Sequence, residues 1–160
     1  MPTSIRGESG PVAEITLHDR SNVPKWRVFD GHDIRPGTSM RSGDELVWSV
    51  SPREWTVLGA RPDGDVVDLT HVRSMFRLTG EEAATLINRL CALDLDDGMF
   101  PSGAAARTLF AGVATELVRD DLDRVPSYLI LPSRSFGAYL RDVIDDAGAE
   151  FDLRPGDEAG

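Results

Sequence analysis

The sequence predicts an α+β fold: a ferredoxin-like split β-α-β-β-α-β unit over residues 66–153, with extra strands added before it. Two observations carry this expectation. Across residues 66–153 the hydrophobic period alternates between two and 3.6 residues in that element order. Both helical stretches also show a single apolar stripe, so both pack on one face of an antiparallel sheet. A chain of 160 residues, 41% hydrophobic, is long enough to bury a real core as one domain.

Residues 1–10 are polar, carry Gly7 and Gly10, and are expected to be flexible. A single α+β domain is expected over 11–153, followed by a flexible tail at 154–160. "VAEITL" (12–17) and "KWRVFD" (25–30) read as strands. Residues 31–45, rich in Gly, Ser and charge, read as a loop. "LVWSV" and "EWTVLG" flank "SPR" (51–53), which predicts a hairpin with Pro52 in its turn.

In "VVDLTHVRSMFRL" (66–78), Val72, Ser74, Phe76 and Leu78 alternate with Arg73, Met75 and Arg77, the pattern of a strand in at least its second half. A helix follows near 80–92, with Ala83, Leu86, Ile87, Leu90 and Cys91 on one stripe and Thr79 as a candidate cap. After a loop at 94–106, "RTLFAGVATELV" (107–118) reads as one long strand. Gly112 within it marks a bulge or a close backbone approach. "SYLIL" (127–131) is the next strand. The second helix, near 136–147, carries Phe136, Tyr139, Leu140, Val143, Ile144 and Ala147 on its stripe, with Ser135 as cap and Gly148 as stop. "EFDL" (150–153) closes the unit as a short strand.

The formal net charge is −10, opposite to the basic face of a nucleic-acid binder. Lys25 is the only lysine; the other 16 cationic residues are arginines, the better forks for carboxylates. No apolar run approaches signal-peptide or membrane-span length, so the chain is read as cytoplasmic, with no nucleic acid and no membrane among its partners.

The chemistry-bearing patterns each have a plain structural reading. Cys91, the only cysteine, lies on an apolar stripe with no histidine near it in sequence, and reads as a core residue. "DLDDG" (94–98) fails the calcium-loop spacing and reads as a helix-exit loop. His18, His32 and His71 have no metal-ligand spacing, so no metal site is assigned. There is no G-x-S-x-G elbow and no dinucleotide or phosphate-loop glycine pattern. No catalytic and no cofactor-binding residue is therefore assigned. Arg107 and Arg134, each at an element boundary, are candidates for fixing a loop or meeting a partner.

Several strings together, "SPREWTVLG", "GEEAATLINRLCALDL", "MFPSGAAARTLFAGV" and "SYLILPSRSFGAYLRDVIDDAGAEF", resemble the gamma subunit of heterotetrameric sarcosine oxidase. The matching points are Cys91, Asp94, Leu95, Phe100, Pro101, Arg107, Thr108, Arg134, Ser135 and Phe151, within residues 46–153. Asp94 and Phe100 join Arg107 and Arg134 as partner-contact candidates on this ground. The chain is shorter than that family before residue 46. The family is similar in fold to the folate-binding domain of glycine-cleavage aminomethyltransferases. The resemblance implies a complex that demethylates sarcosine oxidatively, with larger alpha and beta and small delta subunits. FAD, FMN, NAD and tetrahydrofolate are then expected on those partners, and no cofactor on this chain.

One departure bears on folate. The G-G-x-x-D-D type motif of aminomethyltransferases falls on "AGVATEL" (111–117), where Thr115 takes the first acid position and Glu116 the second. On an alternating strand these two point to opposite faces. Two readings stay open with a plain homo-oligomeric domain behind them. One is a non-catalytic subunit of an amine-oxidising complex. The other is a free-standing folate-binding, one-carbon-transfer protein, which predicts a pocket with convergent polar groups and a well-placed acid.

Overall fold

The computed structural model describes residues 14–156. The expectations for residues 1–10 and 157–160 lie outside them. Among the described residues, eleven strands form two sheets, and two α-helices flank one of them. The first sheet has the order β11-β1-β7-β10-β9-β8. Its strands are β1 (Ile15–Asp19), β7 (Phe76–Thr79), β8 (Ala105–Phe110), β9 (Val113–Arg119), β10 (Ser127–Pro132) and β11 (Leu153–Pro155). All its pairings are antiparallel except that of β1 with β11, which is parallel. The second sheet is antiparallel, β3-β4-β5-β2-β6, from β2 (Lys25–Val28), β3 (Thr38–Ser42), β4 (Glu45–Ser51), β5 (Glu54–Leu58) and β6 (Val66–Asp68).

The architecture is three layers. Helices α1 (Ala83–Ile87) and α2 (Gly137–Gly148) cover one face of the six-stranded sheet, and the second sheet covers the other. Strand β10 shows why. All six of its residues are buried. Tyr128 and Ile130 pack with Leu86, Ile87, Leu140 and Ile144 of the helices, while Leu129 and Leu131 pack with Leu46, Trp48 and Leu58 of the second sheet. A strand covered on both faces loses its polar alternation, and "SYLIL" reads as a continuous apolar run for that reason.

The α+β class stands, and the differences from expectation are local. The strand expected over 107–118 is a hairpin: β8 and β9 turn at Ala111–Gly112, both with positive φ (50° and 82°). Such a two-residue turn matches the twist of its strands, so Gly112 marks neither a bulge nor a close approach. The unit is therefore β-α-β-β-β-α-β, and β1 stands between β7 and β11. Residues 66–78 form two strands in different sheets, broken where Asp68 Oδ1 accepts from the Thr70 amide at 2.9 Å. The loop expected at 31–45 contains β3.

The first helix is shorter than 80–92, because Cys91 is drawn into a bridge with Phe110 and the Leu90 carbonyl accepts from the Ala111 amide at 2.7 Å. Neither helix has a side-chain cap; the Thr79 hydroxyl bonds Ser127 instead, and Ser135 lies in a 3₁₀ turn (Arg134–Phe136) ahead of α2. The last strand falls at Leu153–Pro155 rather than 150–153. The expected tail thus begins as sheet, with the Gly156 amide donating to the Leu17 carbonyl at 2.8 Å.

Candidate functional site

The β8–β9 hairpin decides where the chain's polar groups converge. Its register pairs Arg107 with Glu116, Ala105 with Val118 and Leu109 with Ala114. Leu117 belongs to the helix-side core and Val118 to the core between the sheets. Alternation therefore aims Glu116 at the second sheet and Thr115 at the helices. Thr115 is buried and its hydroxyl donates to the Val113 carbonyl at 2.9 Å.

Glu116 is 2% exposed. Trp48 Nε1, from β4, donates to its Oε1 at 2.9 Å. Three guanidiniums surround Oε2: Arg73 at 3.3 Å, the cross-strand neighbour Arg107 at 3.6 Å, and Arg27 of β2 at 3.7 Å. None of the three has hydrogen-bond geometry to it, so Oε2 is buried without a hydrogen bond, as is Arg27 Nε. Arg27 also pairs with Glu54 at 3.1 Å. Ser51 Oγ donates to Glu54, and that bond, with Arg27, holds the Glu54 carboxyl below its usual range. Three cations thus face two carboxylates, an excess of one positive charge. Beside them opens a hollow of about 270 Å³, lined by Val72, Arg73, Arg107, Ala114, Thr115 and Ser133.

A second carboxylate, Asp120, sits at the other end of β9. Arg41 of β3 forks onto it, Nε to Oδ1 at 3.0 Å and Nη2 to Oδ2 at 2.5 Å. Arg77 of β7 donates to its Oδ2 at 2.9 Å, to its carbonyl at 3.1 Å and to Ser127 Oγ at 2.8 Å. Burial pushes the Asp120 carboxyl up, but the bonds from Arg41 and Arg77 outweigh it and hold the group below its ordinary value. This second cluster is saturated with bonds, although Arg41 and Arg77 also border a hollow of about 370 Å³ with Leu46, Leu58, Met75 and Leu129. The Glu116 cluster keeps unspent donors beside an opening.

Asp94, Phe100, Arg107 and Arg134 do not come together. Arg107 lines the hollow, its side chain half exposed. Arg134 lies in the 3₁₀ turn, its backbone amide bonded to the Val72 carbonyl and its Nη1 at 3.5 Å from His71 Nδ1. It borders a different, more polar hollow with Asp19, Ser21, Asn22, Arg73 and Ser74. Asp94 accepts from the Asp96 amide in the helix-exit loop. Phe100 is buried in the helix-side core, and its carbonyl accepts from Arg119 at 2.9 Å. Cys91 is buried in that same core, with Sγ at 3.4 Å from Thr108 Oγ1. Among the described residues no three His, Cys, Asp or Glu side chains gather in a metal-holding arrangement.

Arg27, Arg73 and Trp48 were not legible as partners of Glu116. They lie 89, 43 and 68 residues from it in sequence; the packing of one sheet on the other brings in Arg27 and Trp48, and a bridge from Arg73 to Ser133, beside β10, brings in Arg73. A signal did exist: a glutamate between Thr115 and Leu117 in a strand whose neighbours on both faces are buried has to find cations.

No family model matches the sequence, and no curated protein matches it. Solved structures do match. Over 86% of this chain and 85% of the other, at 21% identity and a TM-score of 0.75, the structure is similar to a chain of heterotetrameric sarcosine oxidase from Corynebacterium sp. U-96 in complex with pyrrole 2-carboxylate. It is also similar to glycine cleavage system aminomethyltransferase T from Bartonella henselae, with a TM-score of 0.66 at 12% identity. There it covers 89% of this chain but about half (48%) of the other. The α+β fold is thus the one these two structures share. No helix among the described residues is long and apolar enough to cross a membrane.

Proposed function

We propose that this chain is a non-catalytic, gamma-type subunit of a heterotetrameric sarcosine oxidase, assembling with larger alpha and beta and small delta subunits. The observation that carries the reading is the reciprocal fit to the sarcosine oxidase chain. The two align over nearly equal shares of their lengths, 86% and 85%, whereas the aminomethyltransferase extends far beyond this fold. In this reading FAD, FMN and NAD sit on the partners, as does the tetrahydrofolate that captures the one-carbon unit. This chain supplies structure to the complex, not a reacting group.

One observation favours the second reading, a folate-binding protein of the aminomethyltransferase type: a buried acid, Glu116, stands beside a hollow with convergent polar groups. Against it, Oε1 is held by Trp48 and Oε2 is ringed by three guanidiniums, while the first acid position, Thr115, is turned inward and bonded to its own strand. Co-expression with the neighbouring reading frames, followed by affinity capture on this chain, tests the choice. Capture of larger flavin-bearing partners with sarcosine turnover is expected. A chain that captures no partner and binds tetrahydrofolate alone would replace the first reading with the second.

A further inference from the structure

We propose that the hollow between Arg73 and Arg107 is a binding site for a small carboxylate with a short hydrocarbon body. Charge is the first ground. Around Glu116 three guanidiniums meet two carboxylates, and the uncompensated positive charge lies at the opening, on a chain whose net charge is −10. Arg27 is tied down by Glu54, while Arg73 and Arg107 form no close ion pair beyond the shared Glu116 Oε2, Arg107 feeling the Glu54 charge only at longer range.

Geometry is the second ground. Neither arginine makes a hydrogen bond to Oε2; Arg73 Nη1 donates to the Leu131 carbonyl at 3.4 Å, which leaves the rest of its fork and the fork of Arg107 to meet a ligand. A planar guanidinium offers several N–H donors, and a carboxylate accepts two of them side by side. Arg107 is half exposed and can turn its fork outward while its stem stays on the strand. A ligand ammonium in the hollow would meet the same excess of positive charge, which excludes an amine. The remaining wall selects the body of the ligand. Val72 and Ala114 are apolar and open to solvent, and Val72 is 55% exposed. A hollow of 270 Å³ sits at the small end of ligand pockets, roughly 300–1,000 Å³. A short-chain acid fits both the fork and the apolar wall.

Trp48 reports on the site, because its indole N–H donates to Glu116. The test is a titration of the ¹⁵N-labelled full chain with sodium propionate, following the assigned Trp48 indole signal. Propionamide and sodium chloride at matched ionic strength are run alongside. We expect a saturable shift with propionate only, with a Kd on the order of 1 mM, inside the ceiling for about five non-hydrogen atoms. Arg107→Met should weaken it by about ten-fold or more, and Arg107→Lys, which keeps the charge and loses the fork, by an intermediate factor. Arg107→Lys also serves should Arg107→Met fail to fold. A shift linear in concentration, one shared by propionamide or chloride, or unchanged affinity in the arginine variants would overturn the proposal. The site stands on this chain alone, so its failure would leave the assembly role untouched.

Discussion

Asp120 and Glu116 are buried carboxylates four residues apart, and each holds cations from both sheets. Removing one partner of a buried pair leaves the other charge uncompensated, which costs more than the pair contributes. Asp120→Asn would strand Arg77, whose side chain is 11% exposed, and should destabilise the chain by about 3–5 kcal/mol near neutral pH. The sign with pH follows from the depressed Asp120 carboxyl. Its contribution is complete above the unfolded value, about 3.9, and is lost as pH falls through the lower folded value. The stability gap between wild type and Asp120→Asn should therefore close between about pH 5 and pH 2. Urea midpoints measured across that range check it, and a gap constant with pH would show that Asp120 is not the ionised partner. Lys25 is a different case. It is fully buried, donates to the carbonyls of Ser21, Val23 and Thr70, and burial lowers its pKa to about 8. The one lysine serves to close a turn, a role that its neighbours in sequence do not announce.

The elements divide by how locally they are determined. The helix stripe of Leu140 and Ile144 was legible because its signal is local, and both residues are fully buried. Truncating Leu140 to alanine should cost about 2–5 kcal/mol, read from the denaturation midpoint. The hairpin at 111–112 was not legible, because "AG" lacks the Asn-Gly or Asp-Gly signature while apolar residues run through it on both sides. Ala111 accepts a positive φ there because tertiary bonds hold it: its amide bonds Leu90 and its carbonyl accepts from Tyr139. Two glycines separate backbone strain from crowding. At Gly112 (φ +82°) an added Cβ meets nothing within 4 Å, so Gly112→Ala should cost only the left-handed penalty, about 1–2 kcal/mol. At Gly80 (φ +151°) the same atom falls 2.4 Å from the Glu14 carbonyl oxygen, in the strand–helix turn. Gly80→Ala should lower the thermal midpoint further than Gly112→Ala, and equal losses would place the turn elsewhere.

At the scale of the whole molecule, the second sheet is what the sequence concealed. Its strands were read one by one, yet nothing local says that residues 25–68 close over one face of the core unit and bring Trp48, Arg27 and Arg41 onto β9 and its end. That closure turns Glu116 from a surface acid into a bonded hub, and it bears directly on the proposed assembly role. A group that performs acid–base chemistry is worth about 10²–10⁴-fold in rate when lost. A hub that holds two sheets acts on folding and assembly instead. In a reconstituted complex, Glu116→Gln keeps an acceptor for the Trp48 indole but leaves three guanidiniums facing a neutral side chain. We therefore expect a lower yield of assembled complex, with sarcosine turnover per assembled complex within a few-fold of wild type. Subunit stoichiometry and turnover measured on the same samples separate the two quantities. A hundred-fold loss of turnover at normal stoichiometry would make Glu116 a group that touches the reacting one-carbon unit, and would replace the proposed scaffold role of this chain with a chemical one.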